Sequence, residues 1–139
     1  MSNVLSNSLC LVTGAGGFIG SHLVERLVKE GNRVRACVHY NSRNEWGNLE
    51  LIDPAAKNEI EVFTGDIADP FSVRNAMRGV RTVYHLSSLI AIPYSYVAPQ
   101  SYVTTNIQGA INVLQAAREE GVERVVHTST SECYGTAQY

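Results

Sequence analysis

The sequence predicts an α/β protein, a doubly wound parallel sheet covered on both faces by helices, and three features predict it. Short apolar runs alternate with helical patterns along the chain, the order that parallel strands joined by crossover helices require. The first junction, Val12-Thr13-Gly14-Ala15-Gly16-Gly17-Phe18-Ile19-Gly20-Ser21-His22-Leu23, is a glycine-rich turn leading from an apolar run into a helical pattern. The 139 residues, 45% apolar and 17% charged, suffice for one core, with no internal repeat or linker to divide it. Right-handed crossovers restrict the topology, and the expected strand order is 3-2-1-4-5.

Each element has its own signal. Leu9 to Thr13 is the first strand. Phe18 to Glu30 is the first helix, with Ile19, Leu23 and Leu27 on one stripe beside Val24 and Val28, and Gly31 placed to end it in a left-handed conformation. Arg33 to Val38 is the second strand. His39 to Asn58 is polar and irregular, and Trp46, Leu49, Leu51 and Ile52 suggest a short helix packed on the edge. Ile60 to Thr64 is the third strand; Asp69-Pro70 then supplies an N-cap and a proline at the first helical position of a short helix that stops near Gly79. Thr82 to Leu86 is the fourth strand. After a loop containing Pro93 and Pro99, Ser101 to Glu120 forms a long helix with Val103, Ile107, Ala110, Ile111, Leu114 and Ala117 on its apolar side. Glu123 to Thr128 is the fifth strand. The whole is expected to be one Rossmann-type domain, residues 1–139, cut off just after its fifth strand and without a substrate domain.

Charge and cysteines narrow the classes. A net charge of −2 gives no electrostatic reason to expect nucleic acid or an anionic membrane surface as a partner. Arg33 and Arg35, and the group Arg74, Arg78 and Arg81, read as solvated surface. Met1 to Ser8 lacks the positive start and apolar core of a signal peptide, and no apolar run approaches the ~18 residues of a membrane span, so the expected location is cytoplasmic. Cys10 and Cys37 fall in predicted buried strands and Cys133 in a loop. No Cys-x-x-Cys spacing or paired histidines suggest a metal.

A dinucleotide pyrophosphate needs backbone amides that approach it closely and the positive end of a helix behind them. The strand-to-helix turn supplies both: Gly14 makes the tight turn, Gly17 lets the phosphate come close, and Gly20 lets the helix pack. The spacing is Thr-Gly-x-x-Gly-x-x-Gly; the pattern Gly-x-Gly-x-x-Gly fails because Ile19 stands where its last glycine would be.

Thr13 to Gly20, Gly65-Asp66-Ile67, His85-Leu86-Ser87-Ser88 and Thr105-Asn106-Ile107-Gln108-Gly109 together resemble the extended short-chain dehydrogenase/reductases, the family of nucleotide-sugar epimerases and dehydratases. The resemblance implies a cofactor site of Gly14, Gly17, Phe18, Ile19 and Gly20 at the pyrophosphate. Asp66 would bind the adenine amino group, Ile67 would line the adenine site, and Leu86, Ser87 and Ser88 would follow the cofactor's central part. Asn106 resembles the family's helix asparagine, which holds the helix backbone open near the active site; it reads otherwise as a surface residue. His85 reads as a packed structural histidine. The cofactor is NAD or NADP. An acid at the end of the second strand would favour NAD, but Cys37-Val38-His39-Tyr40-Asn41-Ser42-Arg43 carries none before Glu45. That tilts the reading to NADP, with Arg43 or His39 at its extra phosphate, although Arg43 reads equally as solvated.

His127-Thr128-Ser129-Thr130-Ser131-Glu132-Cys133-Tyr134-Gly135 follows the fifth strand. Its Ser129-Thr130-Ser131-Glu132 is similar to the strip of sugar-nucleotide 4,6-dehydratases, whereas the family's epimerases carry no acid beside the hydroxyl residues. Dehydration in that family removes a hydride from sugar C4, which acidifies the C5 proton; water leaves across C5–C6 and the hydride returns to C6. The resemblance makes Glu132 the base at C5, puts Thr130 at the C4 oxygen, and has Ser131 assist at the leaving group. Ile90-Ala91-Ile92-Pro93-Tyr94-Ser95-Tyr96 would border the sugar nucleotide, with Tyr94 and Ser95 as contacts. With His39 to Asn44 and Thr136-Ala137-Gln138-Tyr139, it is similar to dehydratases acting on nucleotide-linked N-acetylglucosamine.

The family completes its site with a Tyr-x-x-x-Lys pair, and the only lysines here are Lys29 and Lys57. The chain is therefore expected to be an N-terminal portion, inactive alone, of an enzyme that pairs as a homodimer. Two alternatives stand beside the dehydratase: a 4-epimerase on the same scaffold, and a non-catalytic dinucleotide-binding module.

Overall fold

The computed structural model describes residues 8–136. The leader reading of residues 1–7 and the Ala137-Gln138-Tyr139 part of the sugar-site stretch lie outside them. Five strands, β1 (Leu9–Thr13), β2 (Arg33–His39), β3 (Ile60–Gly65), β4 (Thr82–His85) and β5 (Arg124–His127), form one parallel sheet in the order β3-β2-β1-β4-β5. The topology and all five strands match the sequence reading within a residue at each end.

Both faces of the inner strands are buried, which is why they read as continuous apolar runs rather than alternating ones. Cys10 and Val12 of β1 join Val34, Ala36 and Val38 of β2 and Val24 and Leu27 of α1 (Phe18–Lys29) in one core. Leu11 points to the other face, with Val83 of β4, Val73 and Met77 of α3 (Pro70–Met77), and Val113 and Ala116 of α6 (Gly109–Glu119). Leu49 belongs to a 3-10 turn (Gly47–Leu51) that packs on the first core ahead of α2 (Pro54–Asn58). Cys10 and Cys37 are buried and Cys133 is exposed. Asp69 Oδ1 caps α3 by accepting the Phe71 amide at 3.0 Å, with Pro70 at the first helical position as predicted.

Three expectations change. The loop expected around Pro93 and Pro99 is helical, α4 (Ile92–Val97) running into α5 (Pro99–Tyr102), because each proline stands in a first turn where no amide is needed. The long helix begins at Pro99, and a π-helical segment (Val103–Gln108) separates α5 from α6. Its buried face is Gly109, Asn112, Val113, Ala116 and Ala117, whereas Val103, Ile107, Ile111 and Leu114 of the predicted apolar side are about half exposed. Small side chains let the helix lie close on the sheet, so the larger apolar stripe faces outward. Arg35 also departs from the solvated reading. Its guanidinium pairs with Glu61 at 2.9 Å and donates to the carbonyls of Ala76 and Arg78, tying β2 to β3 and to the end of α3.

Candidate functional site

The carboxyl ends of the strands share one edge, and the chain reverses direction across the sheet between β1 and β4, where a crevice opens in folds of this kind. Gly14 adopts φ +69°, and a Cβ there would stand 2.9 Å from the Ser87 nitrogen. At Gly20 a Cβ would come within 2.2 Å of the Gly14 carbonyl oxygen, so the first turn of α1 folds directly back on the glycine turn. Intrahelical bonding begins where Ser21 N–H meets the Gly17 carbonyl at 3.0 Å, which leaves the amides of Phe18, Ile19 and Gly20 without intrahelical acceptors. Phe18 and Ile19 are exposed, Gly17 opens outward, and no acid occupies the first turn of α1 to compete for those amides. The cradle fits a pyrophosphate. Sequence reasoning missed Gly16: its carbonyl accepts the Asn48 amide at 2.9 Å, and a Cβ on it would meet the Trp46 oxygen at 2.7 Å. The loop after β2 is thereby seated on the turn, through a contact that sequence spacing gives no sign of.

After β4, the Leu86 and Ser87 amides donate to Thr13 Oγ1 at 3.1 and 3.2 Å, and that hydroxyl meets His85 Nδ1 at 2.7 Å. Thr13 and His85 are both buried, as the structural reading of His85 requires. Burial, reinforced by His127 with its ring 5.2 Å away on β5, lowers the His85 pKa to about 4. Ser87 thus lies against Gly14, and Ser88 follows it exposed on the same edge.

After β2, His39 is exposed, and Asn41 shapes the loop by accepting the Arg43 and Glu45 amides on Oδ1 and donating to the Glu45 carbonyl. Arg43 is 80% exposed, 3.7 Å from the Glu45 carboxylate. After β3, Asp66 Oδ1 accepts the Ala68 amide at 2.9 Å. Ile67 is a core residue, packed where a Gly109 Cβ would stand, so its contribution to the crevice is the course of its backbone. Asn106, inside the π-helical segment, spends its amide on Leu89: Oδ1 accepts the Leu89 N–H at 2.8 Å and Nδ2 donates to the Leu89 carbonyl at 2.9 Å. That makes it a positioning residue for the segment following Ser87 and Ser88.

After β5, Thr130 caps a 3-10 turn (Ser131–Tyr134), and its hydroxyl donates to the Glu132 carboxylate while accepting the Glu132 amide at 3.3 Å. Ser131 is exposed beside them. The Thr128 amide donates to the His85 carbonyl at 3.1 Å, which joins the start of this strip to the end of β4. Tyr94 and Ser95 lie on α4, where Tyr94 stacks near Tyr102 at 6.2 Å and the Ser95 hydroxyl donates to the Ile92 carbonyl. Among the described residues no hydrogen bond, ion pair or ring contact joins α4 to the Thr130–Glu132 strip. No cluster of three metal-ligating side chains and no helix long and apolar enough to cross a membrane occurs among them either.

A five-stranded 3-2-1-4-5 sheet with a Thr-Gly-x-x-Gly-x-x-Gly turn at its crevice defines an extended short-chain dehydrogenase/reductase. Within that class residues 11–139 match the family model described as GDP-mannose 4,6 dehydratase, and the chain belongs to that family. It is similar to UDP-glucose 4-epimerase of Lactobacillus helveticus, 35% identical over 90% of this chain and 36% of that protein. It is also similar to UDP-N-acetyl-alpha-D-glucosaminuronate decarboxylase of Bacillus cytotoxicus, 33% identical over 91% of this chain and 37% of that one. Among solved structures, Pen from Bacillus thuringiensis superposes with a TM-score of 0.83 at 26% identity, over 95% of this chain and 40% of that one. UDP-N-acetylglucosamine 4-epimerase from Methanobrevibacter ruminantium, in complex with UDP-N-acetylmuramic acid, gives 0.80 at 26% identity over 94% and 40%. MoeE5 in complex with UDP-glucose and NAD gives 0.74 at 31% identity over 92% and 38%. The chain spans little more than a third of the length of the curated relatives it matches.

Proposed function

We propose that this chain is the cofactor-binding part of a nucleotide-sugar 4,6-dehydratase, with the substrate domain supplied by further chain. The observation that carries the dehydratase reading is the Thr130-Ser131-Glu132 strip after β5, where a hydroxyl and a carboxylate already share a hydrogen bond. A nicotinamide dinucleotide is supported by the free amides at the start of α1 and by relatives solved with NAD. Gly14, Gly17, Phe18, Ile19 and Gly20 would hold its pyrophosphate, Asp66 its adenine, and Ser87 and Ser88 its middle. The exposed Arg43, and the lack of an acid in β2 or before Glu45, favour NADP, with His39 beside it.

When bound, that group supplies a reversible acceptor for the hydride of sugar C4. Glu132 removes the C5 proton and returns it to the departing C6 hydroxyl as water, so that acid and base are one carboxyl group. Thr130 turns its hydroxyl from Glu132 to the C4 oxygen, and Ser131 hydrogen-bonds the leaving oxygen. Tyr94 and Ser95 border a sugar nucleotide, of which nucleotide-linked N-acetylglucosamine is the proposed form. The complete enzyme pairs as a homodimer.

The epimerase relatives favour a second reading, a 4-epimerase on the same scaffold. The full-length gene product, incubated with sugar nucleotides and followed by NMR, separates the two: a dehydratase yields a 4-keto-6-deoxy sugar, and an epimerase keeps the C6 oxygen. In the same protein Glu132→Gln is expected to lower turnover at least ~100-fold with dinucleotide binding retained; unchanged turnover would remove Glu132 from the mechanism.

A further inference from the structure

We infer that Asn112 is a positioning residue for the purine end of the dinucleotide site, an inference that rests on the cofactor reading above. Asn112 stands on the sheet-facing side of α6, 7% exposed among Gly109, Val113 and Ala116, where an apolar residue would be the ordinary occupant. Its Nδ2 donates to two carbonyls, Ile67 at 2.9 Å and Ala68 at 3.1 Å. Two acceptors on that side require the amino end of the amide to face them, and Oδ1, on the other side, accepts Gln108 Nε2 at 3.0 Å. Gly109, three residues earlier on the same helix, lets α6 rest on the Ile67 side chain.

The clamped segment carries Asp66. Its Oδ1 is held by the Ala68 amide, and its backbone N–H donates to Ser72 Oγ at 3.3 Å. The second carboxylate oxygen has no hydrogen bond among the described residues, and an ionised carboxylate only accepts. With the pyrophosphate at α1 and the reacting end toward β4 and β5, the other nucleoside extends over the exits of β2 and β3. A purine amino group is a donor that matches the free oxygen there. Asn112 touches no ligand; by fixing the carbonyls of Ile67 and Ala68 it fixes the amide that aims Asp66. Gln108, exposed and outside the core, fixes the amide of Asn112 in turn.

Calorimetric titration of the 139-residue chain with NADP and with nicotinamide hypoxanthine dinucleotide phosphate, whose purine carries an oxygen in place of the amino group, tests this. The wild type is expected to prefer NADP by about ten- to a hundredfold, the worth of one hydrogen bond to a charged acceptor. Asn112→Leu should bring that ratio close to one, and Gln108→Ala should lower it about twofold. A purely structural role would weaken both ligands alike and leave the ratio unchanged, which would overturn the inference. Should Asn112→Leu fail to fold, Gln108→Ala decides by the same ratio. Equal wild-type affinity for the two ligands would also overturn it while sparing the cofactor reading; binding of neither would overturn both.

Discussion

Thr13 has one proton and two lone pairs, and the structure uses all three. Its lone pairs accept the Leu86 and Ser87 amides, so its proton goes to His85 Nδ1, which must be unprotonated. The low pKa of His85 follows from the same burial, and it makes stability depend on pH. Its folded value of about 4 lies below the ordinary 6.5, so the unfolded chain takes up the proton first as pH falls. The contribution, about 3 kcal/mol at most, is complete above pH 6.5 and is lost between 6.5 and 4. His85→Asn, whose Oδ1 replaces Nδ1 as acceptor, should flatten that part of a urea-denaturation pH profile; an unchanged slope would contradict the assignment. None of this was legible locally, because Thr13 and His85 are paired only by the register of β1 with β4. Arg35 was misread for the same reason, since its partners come from β3 and α3.

Elements were legible where their signals are local. The glycine turn, the Asp69-Pro70 cap and the short apolar runs each act within a few residues, and the strands and first helix stand where those signals put them. The π-helical segment was not legible, because Val103-Thr104-Thr105-Asn106-Ile107-Gln108 contains neither proline nor glycine to mark it. What accompanies it is the grip of Asn106 on Leu89, a contact 17 residues distant. The turn itself permits a sharper prediction. In Gly20→Ala the new methyl meets a backbone oxygen at 2.2 Å, so α1 must move and the amides of Phe18 and Ile19 lose their alignment. A cost of about 3 kcal/mol and loss of dinucleotide binding are expected by thermal melting and titration. Retention of both would show that the turn tolerates a side chain its geometry forbids.

At the scale of the molecule, β5 is an edge of the sheet among the described residues, with Val126 43% exposed, and α6 turns Ile111 and Leu114 outward at 53% and 52%. An open strand edge and an apolar helix face favour association. The chain is expected to self-associate, and Ile111→Lys with Leu114→Lys should make it monomeric by light scattering while changing its stability by less than about 1 kcal/mol. A wild type that stays monomeric at high concentration would contradict this. The candidate site was legible in part: the strip after β5 and the glycine turn stand out as residue types, whereas Gly16, Asn112 and the Thr13 network depend on contacts between elements.

The claim on which all these scales converge is that the Gly14–Gly20 turn holds a nicotinamide dinucleotide. Calorimetric titration of the folded chain with NADP and NAD, beside Gly17→Glu as the control that places a carboxylate in the cradle, tests it most directly. Saturable one-to-one binding by the wild type and none by Gly17→Glu is the expected result. A folded wild-type chain that binds neither nucleotide, or a Gly17→Glu chain that binds as well as the wild type, would contradict it.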